Sequence, residues 1–239
     1  MTLDRRDWAG LVCALLLATG CVRLGVWQLD RLRQRRARNA ALATTHALPP
    51  LELRGPLPLD AVRDRRIRAR GVYDYTHERL AHGRSFEGVP GVDLVTPLRI
   101  SPGDAVLVDR GWAPSPDGYH LDRDAYRETD SATVLGLGLT APRWRGDVDP
   151  GRLGDSVPYR VAPFVVQQLP DSPSSARSGP PVASGNVPRR WTLPELSDGP
   201  HLSYAVQWFS FAVIIVVGSV ALLRTRAQAV PRGTQNGRS

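Results

Sequence analysis

The sequence predicts an α+β membrane protein in which two transmembrane helices flank a β-rich domain, built as a small antiparallel barrel or sandwich. Three observations predict this class. Residues 8–28 and 201–223 form two long apolar segments near the ends of the chain. Between them lie about 170 residues, a plausible size for one domain. This middle region consists of short apolar runs broken by Gly, Pro and Asp, which is the pattern of strands joined by turns.

The second apolar segment predicts a transmembrane helix over residues 201–223, followed by a tail of residues 224–239. Residues 202–223 carry no charge, and Arg224 and Arg226 end the apolar run. At about 1.5 Å per helical residue the uncharged part extends about 33 Å, which is enough to cross the roughly 30 Å hydrocarbon core of a bilayer.

The first apolar segment predicts another transmembrane helix over residues 8–28, preceded by a short tail of residues 1–7. Trp8 and Trp27 bracket the segment, as residues at the two membrane interfaces do. A cleaved signal peptide is the alternative, because the start is basic and LATGC resembles a lipoprotein cleavage box ending at Cys21. Hydrophobicity resumes directly after Cys21, which favours a retained anchor and leaves cleavage or lipidation open.

Residues 29–200 are predicted to form the β-rich domain. The first helix continues past the membrane until Pro49 and Pro50, because no Gly or Pro precedes them beyond the anchor. SPGD at 101–104 predicts a hairpin turn, and residues 171–186 lack apolar side chains to bury and are predicted to be a flexible loop. Six strands are predicted, at RIRARGVYDY (66–75), RLAHGRSF (79–86), GVDLVTPLRI (91–100), DAVLVDRGWA (104–113), SATVLGLGLT (131–140) and YRVAPFVVQQL (159–169).

The net charge of +8 comes entirely from arginine, since the chain contains no lysine. Arginines concentrate in residues 31–38 and 63–70 without interleaved aromatic side chains, which argues against nucleic-acid binding. Residues 31–38 follow the first membrane span, so anionic headgroups of the lipid bilayer are their simplest partner, and a solvated helix face is the alternative. Arginines flank both ends of the two spans, so charge does not decide the orientation in the membrane.

No catalytic or metal site is predicted in the domain, and the protein is not expected to be an enzyme. There is no Gly-x-Ser-x-Gly elbow, no Gly-rich phosphate loop and no carboxylate cluster expected to have a raised pKa. His77 and His82 in HERLAH are spaced so that they share no face of a helix or strand, and this segment is interpreted as the polar surface of a hairpin. Cys13 and Cys21 both lie in the first apolar segment, which excludes a thiolate metal site from the domain.

Two short segments place aromatic side chains beside polar ones. LVDRGWAP ends an apolar strand in Arg110, Gly111 and Trp112. Gly111 permits a bulge or turn, and Trp112 is expected to pack on the domain core. LGVWQLDR places Trp27 and Gln28 where the first helix leaves the bilayer.

Five segments of the chain share their order with those of a known family: LGVWQLDRL, RARGVYDY, GVDLVTPLRI, AVLVDRGWAP and HLSYAVQWFSFA. In these segments the chain resembles the SURF1 family of cytochrome c oxidase assembly proteins, and its loop over residues 142–199 is closer to that of the bacterial members. The resemblance implies a cell-membrane protein with both termini cytoplasmic and the main domain extracytoplasmic. It also implies a respiratory-chain assembly factor, or chaperone, that binds haem a and assists its delivery to subunit I of the haem–copper oxidase. Subunit I and haem a synthase or other assembly factors are the implied partners.

The resemblance assigns ligation of the haem iron to the histidine that opens the family's second membrane helix, which is His201 in this sequence. A neutral imidazole suits haem iron. At 3.6 residues per turn, Tyr204 and Trp208 lie within about 60° of His201 on a helix, so their rings are candidates to flank the porphyrin.

Two alternatives stand beside this interpretation. His201, Tyr204 and Trp208 also suit an aromatic belt at the membrane interface that binds no ligand. The alternative function is a membrane-tethered scaffold that holds subunit I or another assembly factor without binding haem. Gln207 lies deeper in the span and is expected to face protein or ligand instead of lipid.

Overall fold

The computed structural model of the chain describes residues 4–140, 148, 150–171 and 187–229. The chain divides into two compact units, one made of residues 1–41 with 196–239 and the other of residues 42–195. Most of the predicted flexible loop, residues 172–186, lies outside the described residues, as do the ends of the two terminal tails.

The first unit contains two long helices, α1 (Arg5–Ala47) and α4 (His201–Ala229). Both are long and apolar enough to cross a membrane by length and composition. As predicted, α1 continues well beyond its apolar segment and ends just before Pro49 and Pro50, whose rings disfavour further helix.

The two helices pack along seams in which covered positions alternate at spacings of four and three residues. On α1 these buried or half-buried positions are Asp7, Leu11, Ala14, Ala18, Cys21, Gly25, Gln28 and Leu32. On α4 they are His201, Ala205, Trp208, Ala212, Ile215 and Ser219. This repeat is that of helices packed knobs-into-holes.

Small side chains on the seam bring the two helices close together. A Cβ atom at Gly25 would lie 2.7 Å from the ring atom Cε1 of Phe209, so glycine makes room for that ring. At the far end of the pair, Arg226 Nη1 donates to Asp7 Oδ1 at 2.5 Å. The contacts along this unit show that α1 and α4 run antiparallel.

The second unit is a seven-stranded sheet accompanied by two short helices, α2 (Leu59–Val62) and α3 (Pro150–Gly154). The strands are β1 (Leu51–Leu53), β2 (Arg66–Tyr73), β3 (Arg79–Phe86), β4 (Val89–Ser101), β5 (Asp104–Pro114), β6 (Ser131–Leu139) and β7 (Arg160–Gln168). The six predicted strands are confirmed within a few residues. The sequence did not predict β1, which is too short to show a period of two residues.

The β-rich domain between two apolar helices is confirmed, but the prediction that all its strands are antiparallel is wrong. The strand order is β1-β2-β6-β7-β5-β4-β3, and the β1–β2 and β5–β7 pairs are parallel, which makes the sheet mixed. A short additional pairing of β2 with β4 curls the sheet, but the strands do not form a clear barrel. Periodicity in a strand reports which face is buried, whereas the direction of its neighbour depends on the connections between strands.

The main core cluster consists of aliphatic side chains with Phe164 and Tyr73, and a second cluster, which includes Leu107 and Val165, packs with Leu153 of α3 on the other face of the sheet. Alternation along β2 buries Ile67 and Ala69 and exposes Arg68 and Arg70, as the sequence predicts. At the other end of the sheet, Trp112 is 1% exposed and its ring lies 5.8 Å from that of Phe86. The indole therefore packs inside the domain.

Candidate functional site

The first candidate site lies at the end of the helical unit where α4 begins. Gly199 has a φ of 69°, a conformation that glycine adopts without strain, and Pro200 follows it. The carbonyl oxygen of Pro200 accepts hydrogen bonds from the Tyr204 N–H at 3.1 Å and from Ser203 Oγ at 2.8 Å. These bonds begin α4 at His201 and give hydrogen-bond partners to polar groups at the N-terminal end of the helix.

His201 is half-buried, and its Nδ1 lies 2.9 Å from Oε1 of Gln28 on α1. An amide oxygen only accepts hydrogen bonds, so Nδ1 carries a proton and donates it to Gln28. Among the residues that the structure describes, Nε2 of His201 has no hydrogen-bond partner. The pair therefore presents an oriented imidazole whose Nε2 has no partner in the described part of the chain.

The segment that leads into His201 is tied to the first helix by basic and amide side chains. Arg35 Nε and Asn39 Nδ2 donate to the carbonyl oxygen of Ser197 at 2.8 and 3.0 Å. Arg36 Nε donates to Asp198 Oδ2 at 2.8 Å. Part of the basic stretch thus binds the chain itself, which the sequence did not predict, while lipid contact for its other arginines remains a prediction.

The predicted aromatic residues lie at the same end of the helical unit. Tyr204 is 47% exposed, whereas Trp208 is half-buried and its ring meets that of Phe211 edge-on at 5.9 Å. Trp27 is half exposed, and the guanidinium carbon of Arg31 lies 5.7 Å from its ring centroid. The structure brings Gln28 to His201, leaves Tyr204 exposed and places Trp208 on the seam that faces α1.

Gln28 belongs to the candidate site through a contact that the sequence did not predict. It is predicted only as an interfacial residue, yet it is 9% exposed and faces α4. A usable signal existed, because Gln28 continues the seam of small residues Ala18, Cys21 and Gly25 at spacings of three and four. Its partner, however, lies 173 residues away in the chain.

A second candidate site is a buried ion cluster inside the sheet domain, centred on Arg110. Its guanidinium is 0% exposed and donates to Glu78 Oε2 at 2.7 Å and to Glu128 Oε2 at 3.2 Å. The guanidinium carbon also lies 5.5 and 5.1 Å from the ring centroids of Tyr73 and Tyr75. Buried charge is tolerated here because each of the three guanidinium nitrogens of Arg110 donates to an acceptor, the third being the carbonyl oxygen of Tyr126.

The ion cluster holds the return segment, residues 187–195, against β5. Gly111 has a φ of 118° at a shift in the β4–β5 register, and a Cβ atom there would lie 2.3 Å from the carbonyl oxygen of Arg189. The backbones of Trp112 and Arg189 exchange hydrogen bonds of 2.9 and 2.7 Å. Arg190 donates to Glu128 and to the carbonyl oxygen of Arg110. The bulge that the sequence indicates at Gly111 therefore lets this segment approach.

Two further carboxyl groups, Asp93 and Asp109, are buried in the sheet domain and have raised pKa values, so the prediction that the domain has no such carboxylate cluster is wrong. Asp93 accepts from Arg84 Nε at 2.5 Å and from Trp191 Nε1 at 3.2 Å. Asp109 accepts from the Gly111 N–H at 3.0 Å, and burial together with the neighbouring charge of Asp93 raises its pKa to about 7. Both carboxyl groups are 0% exposed, so they act on the fold and have no access to a substrate in solution.

Glu78 corrects the interpretation of HERLAH as a polar hairpin surface. Its side chain is 1% exposed and accepts from Arg110 and from Thr96. His77 lies on the other side of the segment and is paired with Asp74 at 2.8 Å. In the described part of the chain, no group of three or more His, Cys, Asp or Glu side chains is arranged to hold a metal ion.

Comparisons of the sequence with known proteins identify a matching family. The SURF1 family model matches residues 15–213 of the chain. An uncharacterized SURF1-like protein of Mycobacterium tuberculosis is 27% identical over 206 residues, which cover 82% of this chain and 74% of that protein. A SURF1-like protein of Monosiga brevicollis is 24% identical over 222 residues, covering 84% of this chain and 82% of that protein. The cytochrome oxidase assembly protein SHY1 of Saccharomyces cerevisiae is 28% identical over 133 residues, covering 52% of this chain and 34% of that protein.

Proposed function

Because the chain belongs to the SURF1 family, we propose that it is a membrane-anchored assembly factor for cytochrome c oxidase that binds haem a and assists its delivery to subunit I. The general role in oxidase assembly is supported by the family and by the name of the yeast relative. Haem binding is supported by one observation above all, the contact of 2.9 Å between His201 Nδ1 and Gln28 Oε1.

The pair fits a haem group by the chemistry of its donor atoms. A neutral imidazole nitrogen suits haem iron. Histidine ligands generally donate their other N–H to an oxygen acceptor, which fixes the tautomer and the ring orientation. Gln28 supplies that acceptor, so Nε2 of His201 is the nitrogen that would hold the iron.

The surroundings of His201 suit a large apolar ligand with a polar edge. Tyr204 and Trp208 lie one and two turns along α4 and offer aromatic surface, while Arg35 and Arg36 hold the preceding turn in place. Gln28 and the arginines position the imidazole, and the two rings would limit the access of water to it. In this proposal His201 would be the one residue of this chain that holds the haem iron.

The haem hypothesis is tested by purifying the full chain in detergent from cells that make haem a. We expect a Soret band with close to one haem per chain, and we expect His201→Ala to lose it. Gln28→Leu keeps the ligand but removes its acceptor, so haem affinity should fall by about 10–100-fold.

Two control variants separate ligation from general damage. His120 is an exposed histidine of the domain, paired with Asp117, and His120→Ala should keep full haem content. Gln34 bonds Arg31 on the exposed side of α1, and Gln34→Leu should bind haem as the unaltered chain does. If the unaltered chain carries no stoichiometric haem, the scaffold function is correct and the haem function is wrong.

We also propose that the sheet domain lies outside the cytoplasm, as the resemblance to the family implies. Cys13 and Cys21 can be replaced by alanine, and a single cysteine introduced at Tyr119, which is 63% exposed on the domain. A maleimide that does not cross membranes should label this cysteine in intact cells. Labelling that requires cell lysis would put the domain in the cytoplasm.

A further inference from the structure

We propose that the face of α4 opposite α1 is a second helix-packing surface, which binds the same face of a second copy of this chain. We name this face the outer stripe and define it as Ser203, Gln207, Ser210, Ile214, Val217 and Ala221. The inference rests on the membrane anchoring in the proposed function and does not depend on haem binding.

The outer stripe has the spacing of a helix-packing seam. Its members follow one another at intervals of four, three, four, three and four residues, as the α1-facing positions of the same helix do. At about 100° per residue the two sets lie roughly half a turn apart. All six residues of the stripe are exposed in the structure. The helix therefore carries one seam that α1 covers and a second that nothing in the described chain covers.

Gln207 makes this second seam more than a row of small side chains. It lies six positions after His201, about 9 Å further along the helix and inside the uncharged run of residues 202–223. Its amide has two donors and an acceptor, and it makes no side-chain hydrogen bond within the described part of the chain. Ser203 differs, because its hydroxyl already donates to the carbonyl oxygen of Pro200. Hydrocarbon offers Gln207 no partner, so a protein surface that covers it is favoured.

A second copy of this chain is the simplest partner for the outer stripe, because it already carries a glutamine at the required depth. Two copies inserted in the same orientation run parallel, and a two-fold axis along the membrane normal puts equivalent residues at equal depth. Each Gln207 then meets the same residue of the other copy, and one amide donates while the other accepts in a reciprocal pair. A foreign helix would need its own polar side chain at the same depth.

The rest of the stripe suits close approach of two such helices. Ser203, Ser210 and Ala221 are small and allow the backbones to come near, as small residues do in membrane helix pairs. Ile214 and Val217 fill the space between them and are 64% and 61% exposed in the single chain. The stripe carries no charge, so two identical faces do not repel each other.

Site-directed cross-linking of the full chain in vesicles tests the face directly, in a background with Cys13→Ala and Cys21→Ala. Ile214→Cys lies on the stripe, and its neighbour Val213→Cys is the matched control, since Val213 is 60% exposed but points about 100° away. We expect mild oxidation to give a disulfide-linked dimer with Ile214→Cys and several-fold less with Val213→Cys.

The role of the amide is tested by energy transfer between donor- and acceptor-labelled copies in the same vesicles. Gln207→Leu should weaken dimerisation by about tenfold, because interhelical hydrogen bonds in membranes have modest strength. Val206→Leu changes an adjacent apolar residue and should leave the dimer unchanged.

Equal cross-linking at the two cysteines would overturn the inference, and so would an Ile214→Cys cross-link to another membrane protein in place of the second copy. Energy transfer that shows a monomer at all protein-to-lipid ratios would overturn it as well. Carbonate extraction of the membranes separates its failure from that of the proposed function. A chain that extraction releases contradicts the proposed membrane anchoring as well. A chain that stays in the membrane as a monomer contradicts the second seam alone.

Discussion

Replacing Asp109 by asparagine should remove a pH-dependent destabilisation of the sheet domain. The Asp109 carboxyl group is fully buried, and its neighbour Asp93 adds repulsion, so its pKa rises from 3.8 to about 7 in the folded state. Arg84 and the donors Gln167 and Gly111 oppose this rise without cancelling it. Asparagine has the same shape, can accept the Gly111 N–H and carries no charge.

The sign and size follow from proton linkage. Between about pH 4 and pH 7 the folded chain keeps a proton on Asp109 that the unfolded chain has lost, so stability falls as the pH rises through this window. The interval from pH 5 to the folded-state pKa of about 7 covers about 2 pH units. At about 1.4 kcal/mol per unit, the free energy of unfolding falls by close to 3 kcal/mol over this interval. For a domain of this size the shift corresponds to roughly 5–11 °C in Tm.

The assay is thermal unfolding of the full chain in detergent, followed by the fluorescence of tryptophans such as Trp112 and Trp191, at pH 5 and pH 8. The gain in Tm of Asp109→Asn over the unaltered chain should be several degrees larger at pH 8 than at pH 5. Asp122→Asn removes an exposed carboxylate and is the matched control, with no change expected between the two conditions. If Asp109→Asn shows the same offset at both pH values, Asp109 does not hold a proton in the folded state and the reasoning fails.

Three further predictions concern packing. Gly25→Leu should cost about 1–3 kcal/mol of stability and lower the Tm of the chain in detergent, because its side chain collides with the ring of Phe209. Gly20→Leu is the control and should be neutral, since a Cβ atom at Gly20 meets nothing within 4 Å. Equal Tm values for the two variants would contradict the seam between α1 and α4. Gly111→Ala should destabilise the domain by more than 1 kcal/mol in the same assay, because a Cβ atom there meets a backbone carbonyl at 2.3 Å and φ is 118°; a Tm within a degree of the unaltered chain would refute this. Trp112→Ala should cost about 3–5 kcal/mol and reduce the yield of folded protein. A well-folded Trp112→Ala chain that no longer supports oxidase maturation would instead give the indole a functional role.

Local sequence patterns were sufficient to predict the secondary-structure elements of this fold, but not the arrangement of the strands in the sheet. The alternation of Ile67 and Ala69 with arginines predicts β2 correctly, since the period of two depends only on neighbouring residues. The parallel pairing of β5 with β7 was missed, because partner direction depends on chain connections that no local pattern reports.

The buried charges show a second limit of sequence reasoning. Glu78, Asp93 and Asp109 look like ordinary polar residues in the sequence, and charged side chains are usually exposed. Arg110 makes the burial of Glu78 tolerable, and that compensation exists only once β5 lies against the segment that carries Glu78. No composition or spacing rule distinguishes these carboxylates from exposed ones.

The amino-acid sequence by itself determined the two apolar helices, six of the seven strands, the family and the candidate ligand His201, because all of these are written in short stretches of residues. The tertiary structure alone decided that Gln28 meets His201, that Arg110 is enclosed by carboxylates and that Gln207 faces away from α1. Each of these depends on packing between segments far apart in the chain. That packing determines the neighbours of a side chain, and therefore its protonation and its hydrogen-bond partners.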